Sequence, residues 1–209
     1  MSSNSFLIGL TGGSGSGKTT FIHELRKRLS ESELCILSQD DYYKPRDLQK
    51  LDENQVRNFD LPEAILFDEM LRDIELLDGG QPVQRQEYVF NNEKAQSRLL
   101  TFLPAPVIII EGLFVFQHEP LMSKLDLRLF IQAKDNLKVI RRIKRDQLER
   151  NYPLEDVLYR YEKHVLPAYE SYIKPYVPLA DMVINNNQNF NSALDVISGF
   201  IQSKSFPKQ

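Results

Sequence analysis

Apolar residues fall along this chain in two textures. Five short runs are apolar almost without a break: SFLIGLT (5–11), ELCIL (33–37), PVIIIEG (106–112), LDLRLFI (125–131) and ADMVI (180–184). Their length and composition predict strands buried on both faces. Between them, apolar positions recur every three or four residues. That spacing predicts helices over 18–29, 61–77, 135–150, 154–173 and 191–202. Pro62 near its start and Gly79–Gly80 at its end bound the second helix. Pro167 predicts a kink in the fourth. QEYVF (86–90) and LLTFL (99–103), parted by polar residues, predict a hairpin. Buried strands alternating with helices imply an α/β fold, a doubly wound parallel sheet with helices on both faces. The chain carries no repeat, low-complexity segment or linker, so 1–209 reads as one domain, with the hairpin an insertion at about 82–104. The polar tail SKSFPKQ is expected to fray.

Composition narrows the setting. No apolar run approaches the roughly 18 residues of a membrane span, and MSSNSFLIGLTGG lacks the features of a secretion signal. The formal charge of −3 gives no general attraction to nucleic acid. Neither a membrane nor a nucleic acid is therefore an expected partner. Cys35 is the only cysteine, which excludes an intrachain disulfide and a cysteine-rich metal site. It sits in a buried strand and reads as a small core residue. A cytoplasmic protein is expected.

The first strand runs into Gly12, Gly13, Ser14, Gly15, Ser16, Gly17, Lys18 and Thr19, which match G-x-x-x-x-G-K-[ST]; Thr20 follows on the predicted helix. The match lies between a strand and a helix, the context a phosphate-binding loop needs. Glycines let main-chain N–H groups converge on phosphate oxygens, and the helix N-terminus adds partial positive charge. Lys18 can reach the β- and γ-phosphates, and the Thr19 hydroxyl can ligate Mg²⁺. The expected ligand is a nucleoside triphosphate, and the expected fold is of P-loop NTPase type. The spacing disfavours a dinucleotide fold, and no Asn-Lys-x-Asp run points to guanine. A phosphate loop does not say what receives the phosphoryl group.

In open parallel sheets ligands gather at the carboxyl ends of strands. Asp40 or Asp41, Asp60 and Glu111 fall at such ends or in the loops after them. Glu111 closes the most hydrophobic strand, where an outer Mg²⁺ ligand belongs, although a carboxylate there can also cap the next element. In SQDDYYKP (38–45) the aspartates can equally open a turn. Farther on, RRIKR (141–145) and Arg150 set five cations on about three helical turns. An isolated run of this kind is usually a solvated face. Here the chain is acidic overall, and Leu137, Ile140 and Ile143 supply an apolar stripe, which favours a lid turned toward the triphosphate, spanning about 141–160.

GLTGGSGSGKTT, SQDDYYKP, NFDLPEA, IIIEGLFVF and IRRIKRDQLER occur in this order and at matching separations in uridine kinases, within the wider uridine kinase and phosphoribulokinase group. The resemblance runs from about Phe6 to Asn186. It implies ATP-dependent phosphorylation of a nucleoside 5′-hydroxyl, a β-hairpin over the nucleoside site, and an oligomer, a dimer or tetramer. By position it makes Asp40 the carboxylate facing the 5′-hydroxyl and Asp60 the acceptor for the ribose hydroxyls. Glu111 becomes the outer Mg²⁺ ligand beside Thr19, with Asp40 close to the same ion. Arg142 is placed on the nucleoside side, and Arg145 and Arg150 on the ATP phosphates. Lys18, Arg142 and Arg145 join Asp40 as the catalytic set. Asp41 and the tyrosines then shape the turn, with Tyr42 and Tyr43 packing rather than reacting.

The chain departs from the family where the base is read. The family hairpin is Tyr-Asp-Phe-x-x-His-x-Arg, and here the stretch is YVFNNEKAQSR (88–98). Tyr88 and Phe90 fit as aromatic walls, Val89 replaces the aspartate, Glu93 stands for the histidine, and Arg98 comes late. Tyr152 replaces an arginine and Arg160 a glutamine. One reading sets Glu93 and Arg160 in the pocket with a changed hydrogen-bond pattern; the other leaves both on the surface. SQDDYYKP is also similar to the equivalent stretch of nicotinamide riboside kinases, whose cationic base an acidic Glu93 would favour. Uridine or cytidine is the leading acceptor, nicotinamide riboside or another small alcohol the nearest rival, and a nucleotide-binding regulator without turnover the rival from another class. His23, His118 and His164 form no metal set and are assigned no role.

Overall fold

The computed structural model of the protein describes residues 5–90, 97–148 and 150–205. Five parallel strands form its main sheet: β1 (Phe6–Thr11), β2 (Leu34–Ser38), β5 (Val107–Glu111), β6 (Leu127–Gln132) and β7 (Met182–Asn185). Their order is β2-β5-β1-β6-β7. Two further strands, β3 (Val83–Gln86) and β4 (Leu99–Phe102), pair antiparallel as a separate ribbon.

Alternation along the strands builds two cores. On β5, Ile108 and Ile110 face one layer, with Leu37, Phe130 and the α2 residues Met70, Ile74 and Leu77 (α2 is Phe67–Asp78). Val107 and Ile109 face the other, with Phe21 and Leu25 of α1 (Lys18–Arg28) and Leu194, Ile197 and Ile201 of α7 (Asn191–Ser205). Strand side chains alternate with period two, so an unbroken apolar strand feeds both layers at once. The remaining helices are α3 (Glu119–Met122), α4 (Asp135–Leu148), α5 (Leu154–Arg160) and α6 (Leu166–Ala168). No helix of the described residues is long and apolar enough to cross a membrane.

Three expectations change. The helix predicted over 61–77 starts only at Phe67. Pro62–Ala64 makes a single 3₁₀ turn, and Ile65 is extended because it bridges to Tyr43, with Lys44 N–H donating to Ala64 O. Tertiary pairing overrides helical spacing there. The first hairpin strand is Val83–Gln86 rather than 86–90, because Tyr88 leaves the ladder and its N–H donates to Asp41 Oδ1. The helical run over 154–173 is present and irregular about Pro167: α5, a π-turn (Tyr161–Val165), α6 and a second π-turn (Tyr169–Ile173) follow one another. The widened turns fit a residue that lacks an N–H and crowds the preceding carbonyl. Finally, the buried face of α4 is polar, formed by Lys138, Arg142 and Asp146, while Ile140 is exposed.

Candidate active site

Every functional candidate in the described residues comes from the carboxyl edge of the sheet or from elements folded over it. The loop after β1 is a phosphate cradle. Its glycines are required by space as much as by dihedral angle. A Cβ on Gly15 (φ 78°) would lie 2.4 Å from Lys138 O, and one on Gly17 (φ 107°) would lie 2.2 Å from Asn186 Nδ2. Asn186, just past β7, donates from Nδ2 to Ser16 O at 2.8 Å and so braces the loop from beneath. Lys18 begins α1, and its Nζ donates to Gly12 O at 2.8 Å. Burial pulls the Lys18 pKa below its ordinary value, while Glu111 and Asp40 push it back up. Thr19 and Thr20 follow on the exposed first turn of α1 and line the cleft.

β2 and β5 are neighbours in register, Ser38 opposite Glu111. The Ser38 hydroxyl donates to Glu111 Oε1 at 2.6 Å and caps the 3₁₀ turn Gln39–Tyr42 that carries Asp40. Burial pushes the Glu111 carboxyl up to about 7, with the Asp40 charge acting the same way and Lys18 opposing it. Asp41 turns away from the cleft and ties down the hairpin, its Oδ1 accepting from Tyr88 N–H and its carbonyl from Arg85 Nε. Tyr42 is structural, its hydroxyl donating to Asp73 and its ring under the Arg85 guanidinium. Tyr43 packs too, yet it also walls the cleft.

A cleft of about 630 Å³ joins these parts. One end holds Ser14, Gly15, Gly17, Lys18, Thr19 and Thr20. The other holds Asp40 and Asp60 with an aromatic box of Tyr43, Phe59, Tyr88 and Phe90. Tyr43 centres the box, with ring centroids 5.9, 5.5 and 5.3 Å from Phe59, Tyr88 and Phe90. Val89, Tyr152 and Arg160 close that end. Arg160 Nη1 donates to Arg57 O at 3.0 Å, and its guanidinium lies 5.6 Å from the Tyr152 ring centre. Glu93 lies outside the described residues. Arg98 pairs with Glu87 on the exposed hairpin and does not line the cleft.

α4 folds over the phosphate end. Arg142 Nη1 donates to Ser14 Oγ at 2.8 Å, which puts Arg142 against the phosphate loop. Arg145 and Arg150 line the cleft, and Arg150 also lies 5.2 Å from the Phe90 ring centre. Gly12, Gly13 and Ser16 belong to the same loop but stand back from the cleft lining. Sequence reasoning passed over Asn186, Arg46 and Asp146, and gave Arg141 no place beyond the cationic run. Arg141 donates to Asn186 O, and Arg46, Arg141 and Asp146 line the cleft. Asp146 carried a readable signal, lying four residues after Arg142 on one helix face. Asn186 carried none, because only strand order brings it to the phosphate loop.

The residues near Thr19 suit a hard cation. Thr19, Asp40 and Glu111 offer only oxygen, and the half-buried Glu111 lines the cleft with its Oε1 held by the Ser38 hydroxyl. Among the described residues no group of three or more His, Cys, Asp or Glu could hold a metal alone. Magnesium, which commonly takes one or two carboxylates plus phosphate oxygens and waters, fits such a partial site.

Fold and cleft together define a P-loop kinase, a phosphotransferase with its donor loop at one end of a cleft and acidic groups at the other. Residues 7–191 match the model of the phosphoribulokinase / uridine kinase family, and the chain belongs to that family. It is 32% identical over 200 residues to a uridine kinase of Staphylococcus haemolyticus, covering 96% of this chain and 97% of that one. It is 35% identical over 213 residues to uridine-cytidine kinase B of Dictyostelium discoideum, covering 100% and 86%. Among solved structures, phosphoribulokinase from Rhodobacter spheroides shares the fold with a TM-score of 0.58 at 18% identity, over 88% of this chain and 71% of that one.

Proposed function

We propose that this chain transfers the terminal phosphoryl group of ATP to the 5′-hydroxyl of a pyrimidine ribonucleoside, uridine or cytidine, with 1–209 acting as one kinase unit. The observation that carries the reading is the two-ended cleft, with Lys18 and the phosphate loop facing Asp40 and Asp60 and an aromatic box behind them. The similarity to uridine and uridine-cytidine kinases over nearly the whole chain supports the acceptor class.

The aromatic box stacks a base, and Asp60 accepts from the ribose hydroxyls. Asp40 orients the 5′-hydroxyl and takes its proton as oxygen attacks the γ-phosphorus. The bond from that phosphorus to the β–γ bridging oxygen breaks, and ADP leaves. Lys18, Arg142 and Arg145 neutralise charge spreading over the transferred group, while the loop amides hold the β-phosphate. Thr19, Glu111 and Asp40 would hold Mg²⁺, which when bound offsets phosphate charge. Phosphoryl transfer needs positioning and charge neutralisation more than covalent chemistry, so one carboxylate near the acceptor suffices as base.

The deciding experiment offers ATP–Mg²⁺ with uridine, cytidine and nicotinamide riboside side by side and follows ADP release. ADP released with uridine or cytidine is expected. Release with nicotinamide riboside alone would move the acceptor class. No release with any nucleoside, despite tight ATP binding, would make the protein a regulator.

A further inference from the structure

Asp146 is a carboxylate at 2% exposure in the last turn of a cationic helix. Its side chain meets three guanidinium groups at once. Oδ2 lies 3.2 Å from Arg142 Nε, and Oδ1 lies 2.9 Å from Arg145 Nε and 3.6 Å from Arg150 Nη1. All four residues line the cleft. Elsewhere the same guanidinia reach the donor loop through Ser14 and the base end beside Phe90. Three like charges, two on α4 and one just past its end, repel one another. Burial and the Arg145 charge both lower the Arg150 pKa, while Asp146 works against them.

We propose that Asp146 is a positioning residue: it gathers the forks of Arg142, Arg145 and Arg150 into one array aimed at the transferred phosphoryl group before the triphosphate arrives. It touches neither substrate and acts only through the three arginines. One negative charge among three positive ones leaves the array net cationic, so it still attracts a triphosphate. The carboxylate orients the Arg145 fork through the bond from its Nε, and draws the Arg142 and Arg150 guanidinia toward it by charge. Its contribution lies in preorganisation, realised in the transition state more than in ground-state binding. The inference rests on the kinase reading above.

That division gives a signature which loss of folding cannot imitate. Asp146→Asn adds one unit of net positive charge to the cleft while freeing the forks. Turnover should fall about 10–100-fold, while ATP binding measured by titration calorimetry stays as tight or tightens, with a steeper loss at rising salt. In a double-mutant cycle, Arg145→Lys should cost about tenfold or more in kcat beside Asp146, but less than about threefold in the Asp146→Asn background, because the fork is already free. Asp146→Glu keeps the charge and shifts its place; it should melt near the parent temperature and still lose turnover. Equal costs of Arg145→Lys in both backgrounds would overturn the proposal. So would ATP binding weakened many-fold at every salt concentration. If the parent protein hydrolyses ATP but phosphorylates no nucleoside, the kinase reading fails, and the same Arg145→Lys cycle read on ATP hydrolysis upholds the positioning role if the costs differ and overturns it if they are equal.

Discussion

Asp40 and Glu111 show how two carboxylates that both act on the charge of Lys18 come to sit in different surroundings. Asp40 is lifted into the cleft by a 3₁₀ turn that Ser38 caps, and it faces the aromatic box. Replacing it with asparagine keeps the shape but removes the proton acceptor. Asp40→Asn should lower kcat by about 10²–10⁴-fold with calorimetric ATP affinity retained. Near-normal turnover would remove Asp40 from the chemistry. Glu111 is instead shut against β2, and burial raises its pKa to about 7. A carboxyl that titrates near 4.3 when unfolded but near 7 when folded favours the folded state at low pH. That contribution is lost as pH climbs from the unfolded value through the folded one. In metal-free buffer, Glu111→Gln should therefore melt progressively higher relative to the parent between about pH 4.5 and 7, with the gap constant above. A gap that shrinks with rising pH would show that the buried carboxylate is already compensated.

At the scale of elements, the acceptor end depends on a clasp between two segments that share no strand. Asp52, in the loop that also carries Arg57 and Asp60, accepts from the Tyr159 hydroxyl and meets His164 Nε2, each at 2.7 Å. Its Oδ1 accepts from Asn54 and Val56 N–H. Burial works against the charged carboxyl, yet these hydrogen bonds hold its pKa well below the usual carboxylate range. The clasp fixes the helix bearing Arg160 against the loop bearing Asp60, and Arg160 adds its own bond to Arg57 O. Asp52→Asn should raise the acceptor KM about tenfold, because the loop bearing Asp60 loses its charged tie to the helix bearing Arg160. The ATP KM should not move. Equal changes in both constants would show that the clasp supports the whole cleft.

At the scale of the molecule, the cleft exists because strands far apart in sequence end side by side. β1, β2, β5 and β7 deliver the phosphate loop, Asp40, Glu111 and Asn186 to one edge. The strands and most helices were legible in the sequence, because an unbroken apolar run must be buried on both faces and helical spacing exposes a stripe. The helix at 61–77 misled, since its apolar spacing was real but Ile65 was claimed by a bridge to Tyr43. α4 misled in the opposite sense. Its apolar stripe predicted the buried face, yet Lys138, Arg142 and Asp146 are the residues turned inward, because what covers them is the phosphate loop and not a hydrophobic layer.

Chain order alone determined the donor chemistry. A glycine-rich turn between strand and helix, ending in Lys18 and Thr19, is a local device whose every part lies within eight residues. Local interactions need no knowledge of the rest of the fold. What only the tertiary structure decided is which distant groups meet that device: Asn186 under the loop, Asp146 among three arginines, Tyr43 at the centre of the box and His164 on Asp52. These pairings span long stretches of chain or turn on which side of a helix is buried. Both follow from how layers pack, and spacing along the sequence does not encode that.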